Sequence, residues 1–303
     1  MMRHAILLLV FAATLWSPVP AAAGMKTELI TITAPDGTEL DGAYYTTDGD
    51  TRPLAERKVV YLVHGRTMSF VVGLPRALPP VLVPEGYDAL ALNQRASGVI
   101  AFRDDLRGVG DARSSCADVL MDVKAGLDHL KRLGYRKLIL VGHSSGAFFA
   151  GHHGATDPGV EAMVLASPYP FCNAIPLPRP EWDPVLAQAR QLVGEGKGDQ
   201  LILLSPGRGF TTWVIIASTA LEAVKPPPPP LFVSMGSFKR PALVFYGDAP
   251  LEGVLQGLAR PLLAPAEGRE VMSFPGADHF YKGRIDTVTA AITAWLLKHA
   301  PPR

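Results

Sequence analysis

Six short, almost uninterrupted apolar runs constrain this chain more than anything else in it. They are "KVVYLV" (58–63), "YDALALN" (87–93), "RKLILVGH" (136–143), "VEAMVLASP" (160–168), "RPALVFYG" (240–247) and "GREVMSFPG" (268–276). A strand that is apolar at nearly every position has both faces covered, the situation of a parallel sheet flanked by helices. Helical patterns lie between several of the runs. "CADVLMDVKAGLDHLKRLG" (116–134) repeats apolar residues at three-to-four spacing and closes on Gly134, and "IDTVTAAITAWLLKHA" (285–300) is amphipathic. Ahead of the series, two alternating β-branched runs flank Asp36–Gly37 in "TELITITAPDGTELDGAYY", a hairpin signal. The fold class expected is α/β, a mostly parallel sheet with helices on both faces, opened by an antiparallel hairpin.

One interval breaks the alternation. Residues 168–238, between the sixth and seventh strands, hold "PYPFCNAIPLPRPEWDP", a helical stretch "VLAQARQLVGEG" and the run "KPPPPPLFVSM". Pro226–Pro230 is extended polyproline, which no helix or central strand accommodates, and reads as a stiff connector inside a cap or lid-like insertion. Its aromatic residues (Tyr169, Phe171, Trp182, Phe210 and Trp213) suit either a hydrophobic acyl group or packing of the insertion onto the core.

The first 23 residues stand apart from this pattern. "MMRH" is a short positive start, "AILLLVFAATLW" an apolar run short for a membrane span, and "SPVPAAAG" supplies small residues at Ala21 and Ala23. This reads as a secretory signal cut between Ala23 and Gly24, leaving residues 24–303 as one exported domain, periplasmic or secreted. An uncleaved anchor, or a start at Met25, is the alternative. No later segment is long and apolar enough to span a bilayer. The chain carries 29 basic and 28 acidic residues, a balance without the concentrated basic charge that nucleic-acid binding needs. Its two cysteines, Cys116 and Cys172, are either a disulfide or two thiols; no cluster with metal-ligand spacing accompanies them.

The strongest chemical signal is Gly142-His143-Ser144-Ser145-Gly146, a Gly-x-Ser-x-Gly pattern between an expected strand and an expected helix. In that context two glycines permit a tight, strained turn that lifts a serine oxygen above the sheet edge. Spacing selects Ser144 as the nucleophile. Ser145, opening the helix, offers a backbone N–H to developing negative charge.

The chain resembles the α/β-hydrolase-fold serine hydrolases, esterases and lipases among them, over nearly all of residues 24–303. Four landmarks carry the likeness: the hairpin around "APDGTEL", "LVHGRT" after the third strand, "GHSSG" at the elbow, and "PGADHFYKG" near the end. The resemblance implies an oxyanion hole made by the backbone N–H groups of Ser145 and Arg66, with Thr67 in place of Arg66 if the loop is shaped differently. It also implies a catalytic histidine after the last strand. Of eight histidines only His279 has that position; His64 and His143 belong to turns, and His152 and His153 to the helix after the elbow. A serine hydroxyl needs such an imidazole to take its proton.

The third member is less legible. The resemblance implies an acid three residues beyond Gly247, and that position is Pro250. Asp248 and Glu252 flank it. Asp248 is nearer the strand end and is preferred; Glu252, with its longer side chain, is the alternative, and an acid from elsewhere is the third option. Asp278, beside His279, reads as a turn cap. The loop after the fourth strand carries Arg95, Arg103, Arg107 and Arg113, but Asp104, Asp105 and Asp111 interleave with them, so internal pairing is expected over an anion site.

The reading is therefore an exported serine hydrolase cleaving an ester or related acyl bond in a small-molecule substrate. It uses Ser144, His279 and Asp248 or Glu252, with no metal, no organic cofactor, no nucleic-acid partner and no stable membrane insertion after signal cleavage. Pro250 leaves room for a rival, a non-catalytic binding protein on the same fold. Neither the substrate nor the oligomeric state is readable.

Overall fold

The computed structural model describes residues 24–102, 108–172, 182–204, 213–223, 225 and 228–302. Eight strands form the main sheet: β1 (Met25–Thr33), β2 (Glu39–Thr47), β3 (Lys58–Val63), β4 (Asp88–Leu92), β5 (Lys137–His143), β6 (Val160–Ala166), β7 (Ala242–Tyr246) and β8 (Arg269–Ser273). Their spatial order is β1-β2-β4-β3-β5-β6-β7-β8. β1 and β2 pair antiparallel, β2 meets β4 antiparallel, and every pair from β4 to β8 is parallel. The hairpin turns where the sequence indicates: the Gly37 N–H donates to Ala34 O at 2.9 Å, with Gly37 at φ 85°.

The apolar runs are strands because both of their faces are covered. Val59, Tyr61 and Val63 of β3 and Leu138 and Leu140 of β5 pack on one side, with Phe148 and Phe149. Val60, Leu62, Ile139 and Val141 pack on the other, with Leu74, Leu78, Ile292 and Trp295. Helix α1 (Cys116–Leu133) and helix α2 (Ser145–Thr156) lie on the first face. The first begins with a reciprocal capping box between Ser115 and Asp118 and ends on Gly134 at φ 114°, so both of its ends are set by its own sequence.

The interval between β6 and β7 forms a satellite with a core of its own. Helix α3 (Asp183–Gly194), an antiparallel pair Leu201–Leu204 with Trp213–Ile216, and helix α4 (Ala217–Glu222) bury Trp182, Leu186, Ala189, Ile202, Ile215 and Ala220 together. Trp182 therefore packs within the insertion itself. Residues 1–23, Phe210 and Pro226–Pro227, to which the signal, aromatic and polyproline readings in part refer, lie outside the described residues. Beyond the insertion come helix α5 (Pro250–Leu258) and helix α6 (Ile285–His299), the latter closing the second face of the sheet. No helix among the described residues is long and apolar enough to cross a membrane.

Cys116 and Cys172 are bonded, resolving the cysteine alternative. The bridge joins the first residue of α1 to the segment that leaves β6 for the insertion. Closing a loop of 56 residues restricts the unfolded chain far more than the folded one. Reduction should therefore cost about 2–4 kcal/mol of stability. Denaturant unfolding with and without reductant measures this, and a Cys116→Ala/Cys172→Ala variant should show the same loss and no further response to reductant.

Candidate active site

Ser144 sits at φ 56° and ψ −124°, ahead of the first turn of α2 and making no side-chain cap to it. A side-chain-bearing residue in this region is strained, and the close approach of its neighbours makes the strain unavoidable. A Cβ on Gly146 would stand 2.3 Å from His64 O, and one on Gly142 would stand 2.5 Å from Ala147 Cα. Both glycines of the motif are thus required by contact as well as by turn geometry. The result is a hydroxyl left free of the helix and directed to another partner. His279 Nε2 lies 3.0 Å from Ser144 Oγ.

The imidazole hangs on the loop after β8, where Gly276 adopts φ 75°. Asp278 caps this turn, its Oδ1 accepting from the N–H groups of Phe280 (3.0 Å) and Lys282 (2.9 Å). His279 Nδ1 is 2.7 Å from Glu252 Oε1.

The preferred acid, Asp248, is elsewhere: its Oδ1 accepts from the Gly276 N–H at 2.8 Å. It holds the loop that carries His279 and does not touch the ring. The reason lies in Pro250, which is the first residue of α5. Proline is at home at that position because its missing N–H would have no partner there. The helix it begins places Glu252 in the first turn, where a negative charge is favoured by the helix dipole, and directs its side chain inward. Glu252 is fully buried. Its Oε2 accepts from the Gly247 N–H at 2.9 Å and from Ser167 Oγ at 2.5 Å, and Ser167 Oγ is 2.6 Å from Tyr281 Oη. Burial pushes the Glu252 carboxyl up, but the hydrogen bonds from His279, Ser167 and Gly247 outweigh it and hold the group below the usual glutamate range.

Sequence reasoning missed Ser167, Tyr281 and the supporting part of His143. Two signals were available: Ser167 ends the run of β6, on the same sheet edge as the elbow, and Tyr281 follows His279 by two positions. His143 Nε2 donates to the His279 carbonyl at 2.8 Å, tying the elbow to the histidine loop. Burial, then the neighbouring His279, lower its pKa to about 3, so it stays neutral.

The loop after β3 brings Arg66 to the same place. A Cβ on Gly65 would stand 3.0 Å from Ser144 Cβ, so this peptide lies against Ser144. The Gly65 carbonyl accepts from His64 Nδ1 at 2.8 Å and from the Met68 N–H at 3.2 Å. In a trans peptide that turns the Arg66 N–H to the opposite side. His64 is itself locked, its Nε2 accepting from the Gln94 N–H and facing Ser97 Oγ. The fallback donor, Thr67, takes the strained position of the loop at φ 58°.

Pairing within the arginine-bearing loop is not what the described residues show: its arginines meet acids of other elements, and Asp111 meets Arg66 of the loop after β3. Arg95 bridges Asp36 (2.5 Å) and Asp122 (2.7 Å), Arg66 pairs with Asp111 (2.6 Å), and Arg113 pairs with Asp199 of the insertion (3.3 Å). Arg103, Asp104, Asp105 and Arg107 lie outside the described residues. No cluster of three or more metal-ligating side chains occurs among the described residues.

Residues 55–195 match the hydrolase family described as serine aminopeptidase, S33. No curated protein matches the chain. Among solved structures, a hypothetical protein, PA2218 from Pseudomonas aeruginosa, superposes with a TM-score of 0.69 at 17% identity, over 97% of this chain and 100% of that one. The α/β hydrolase GrgF from Penicillium sp. sh18 gives 0.67 at 14% identity, over 90% of this chain and 99% of its own. Est1E from Butyrivibrio proteoclasticus, solved with ferulic acid bound, gives 0.60 at 17% identity, over 89% and 98%. Strand order, strained elbow and these likenesses agree: this chain has the α/β-hydrolase fold.

Proposed function

We propose that the protein is an exported serine hydrolase that cleaves an ester or a closely related acyl bond, with Ser144, His279 and Glu252 as its triad. The observation that carries the reading is the continuous run of contacts from Ser144 Oγ through His279 to the buried Glu252 carboxylate, 3.0 Å and 2.7 Å long. In the first step Ser144 Oγ bonds to the substrate carbonyl carbon while its proton passes to His279 Nε2. The carbonyl oxygen takes up the negative charge and is met by the N–H groups of Ser145, at the start of α2, and Arg66. Glu252 holds the ring with Nδ1 protonated and stabilises the imidazolium. The intermediate collapses as His279 returns the proton to the leaving oxygen, giving an alcohol and an acyl-serine. A water then gives its proton to His279 and attacks the acyl carbon, and Ser144 leaves with that proton as the carboxylic acid forms.

An ester is favoured within acyl chemistry because solved structures of the same fold include an esterase from Pyrococcus furiosus and the esterase domain of a Rhodothermus marinus protein. That support is by analogy of fold. Export is supported by the charged and apolar start of the sequence and by the Cys116–Cys172 bond, which persists in oxidising compartments. The satellite between β6 and β7 acts as a lid in this reading, since it departs from the strand end beside the elbow: the Tyr169 N–H donates to Ser144 O at 3.1 Å.

Purified protein should react rapidly with a fluorophosphonate at Ser144, as mapped by peptide mass spectrometry, and Ser144→Ala should not react. Glu252→Gln should lower kcat on a p-nitrophenyl ester by about three to four orders of magnitude. Asp248→Asn should cost far less, since it removes a loop contact and not the partner of the imidazole. An equal loss in both variants would return Asp248 to candidacy.

The lowered pKa of Glu252 also has a sign in stability. Its contribution is complete above the ordinary value of 4.5 and is lost as pH falls through the lower folded value. In thermal unfolding between pH 7 and pH 3, the margin of wild type over Glu252→Gln should therefore shrink as the solution is acidified.

A further inference from the structure

We propose that Ser167 and Tyr281 are positioning residues that brace the displaced acid, Tyr281 acting on Ser167 and Ser167 on Glu252. The inference rests on the reading of Ser144, His279 and Glu252 as the triad and concerns what lets the glutamate serve there.

The hydrogen-bond directions follow from the charge. An ionised carboxylate only accepts, so Ser167 must give its single proton to Glu252 Oε2. The lone pairs of Ser167 Oγ are then open to a donor, and Tyr281 Oη, 2.6 Å away, supplies it. Each hydroxyl in the series thereby strengthens the next, in a region from which water is excluded: Ser167, Glu252 and Tyr281 are 0%, 0% and 1% exposed. Backbone conformation adds an independent observation. Ser167 and Tyr281 have φ 42° and 56°, and with Thr67 and Ser144 they are the non-glycine residues at positive φ among those described. Ser144 and Thr67 lie at the elbow and in the loop facing it. Strain retained at Ser167 and Tyr281 as well marks them as parts of the same constellation.

The brace answers a geometric need. Glu252 approaches from a helix and through one more rotatable bond than an aspartate at a strand end would have. The Gly247 N–H alone fixes one direction at Oε2. Ser167, arriving from the end of β6, supplies a second, and with both taken Oε1 faces His279 Nδ1. Tyr281 comes from the histidine's own loop, so the acid is referenced to the ring it must orient. Among the other titratable neighbours, Asp278 lies near Tyr281 and engages its Oδ1 with the N–H groups of its own turn. Tyr246 gives its hydroxyl to Pro168 O at 3.0 Å, and His143 is held neutral behind the imidazole. The acid limb of a pH profile then reports the His279–Glu252 pair.

The test is the rate of fluorophosphonate labelling at Ser144 as a function of pH, which needs no knowledge of the natural substrate. It is measured for wild type, Ser167→Gly, Ser167→Ala and Tyr281→Phe, each also combined with Glu252→Gln. Glycine suits the φ of 42° at position 167, so Ser167→Gly keeps the fold even where the alanine variant does not, and its melting temperature checks this. Removing a hydrogen bond to a charged group should slow labelling about tenfold or more in Ser167→Gly. Tyr281→Phe should slow it less. In both variants the acid limb should move to higher pH, because a carboxylate with fewer donors holds its proton and the imidazolium more strongly. In the Glu252→Gln background neither substitution should slow the reaction further. A wild-type rate in Ser167→Gly, or equal slowing in both backgrounds with the acid limb unmoved, overturns the brace while leaving the triad standing. Indifference of wild type and Ser144→Ala alike to the probe overturns the triad reading and the brace with it.

Discussion

The molecule is organised around a place where backbone meets backbone with no room for a side chain. The end of β3, the end of β5 and the start of α2 converge so closely that a Cβ on Gly146 or Gly142 would fall at 2.3 Å and 2.5 Å from neighbouring main-chain atoms. That convergence holds Ser144 at positive φ and keeps its hydroxyl away from capping the helix. The same contact brings the Gly65–Arg66 peptide against Ser144. The Ser144 hydroxyl, the start of α2 and the Gly65–Arg66 peptide are thus brought together by one steric condition. Two continuous cores on the two faces of the sheet hold it in place.

Around that fixed point the carboxylate that meets the His279 ring is Glu252, two residues beyond Pro250. Proline at the position three residues beyond Gly247 does not interrupt the site; it starts a helix. The first turn of that helix brings Glu252 under the imidazole, and burial of its charge is offset by donors from three segments of chain. A carboxylate removed from water without such partners would take up a proton and could no longer orient the ring. Asp248, the nearer carboxylate, is used to fasten the histidine loop instead. The two acidic residues flanking Pro250 therefore divide between them the tasks of placing the histidine's backbone and holding its ring.

The insertion is tied down on both sides of the site. Cys172 bonds to the start of α1, and the Leu231 N–H donates to Pro170 O. Leu231 also packs over Gly151 of α2, where a Cβ would stand 2.3 Å from its Cδ1. Arg113, two positions after Asp111, reaches Asp199 of the insertion, and the Asp111 carboxylate meets Arg66. The satellite keeps a core of its own, fastened at its departure by the disulfide and at its return by Leu231 against α2.

The sequence alone determined what depends on neighbours in the chain. Apolar runs, a capped helix and the hairpin at Gly37 specify a sheet covered on both faces, and the elbow's five residues carry their own turn chemistry. His279 was legible through the family resemblance, as the histidine in the short turn after the last strand. The partner of its ring was not, because Asp248 and Glu252 flank Pro250 at two positions on either side and nearness to the strand end favoured the wrong one. Which one meets the ring depends on the phase of a helix that begins at Pro250 and on Ser167 and Tyr281, which approach from other parts of the fold. The disulfide was undecided for a related reason, since 56 positions of sequence say nothing of distance until α1 and the end of β6 are packed together. Turn and strand preferences act over a few residues. The neutralisation of a buried charge is a property of everything brought within hydrogen-bonding distance of it, and only the tertiary structure decides that.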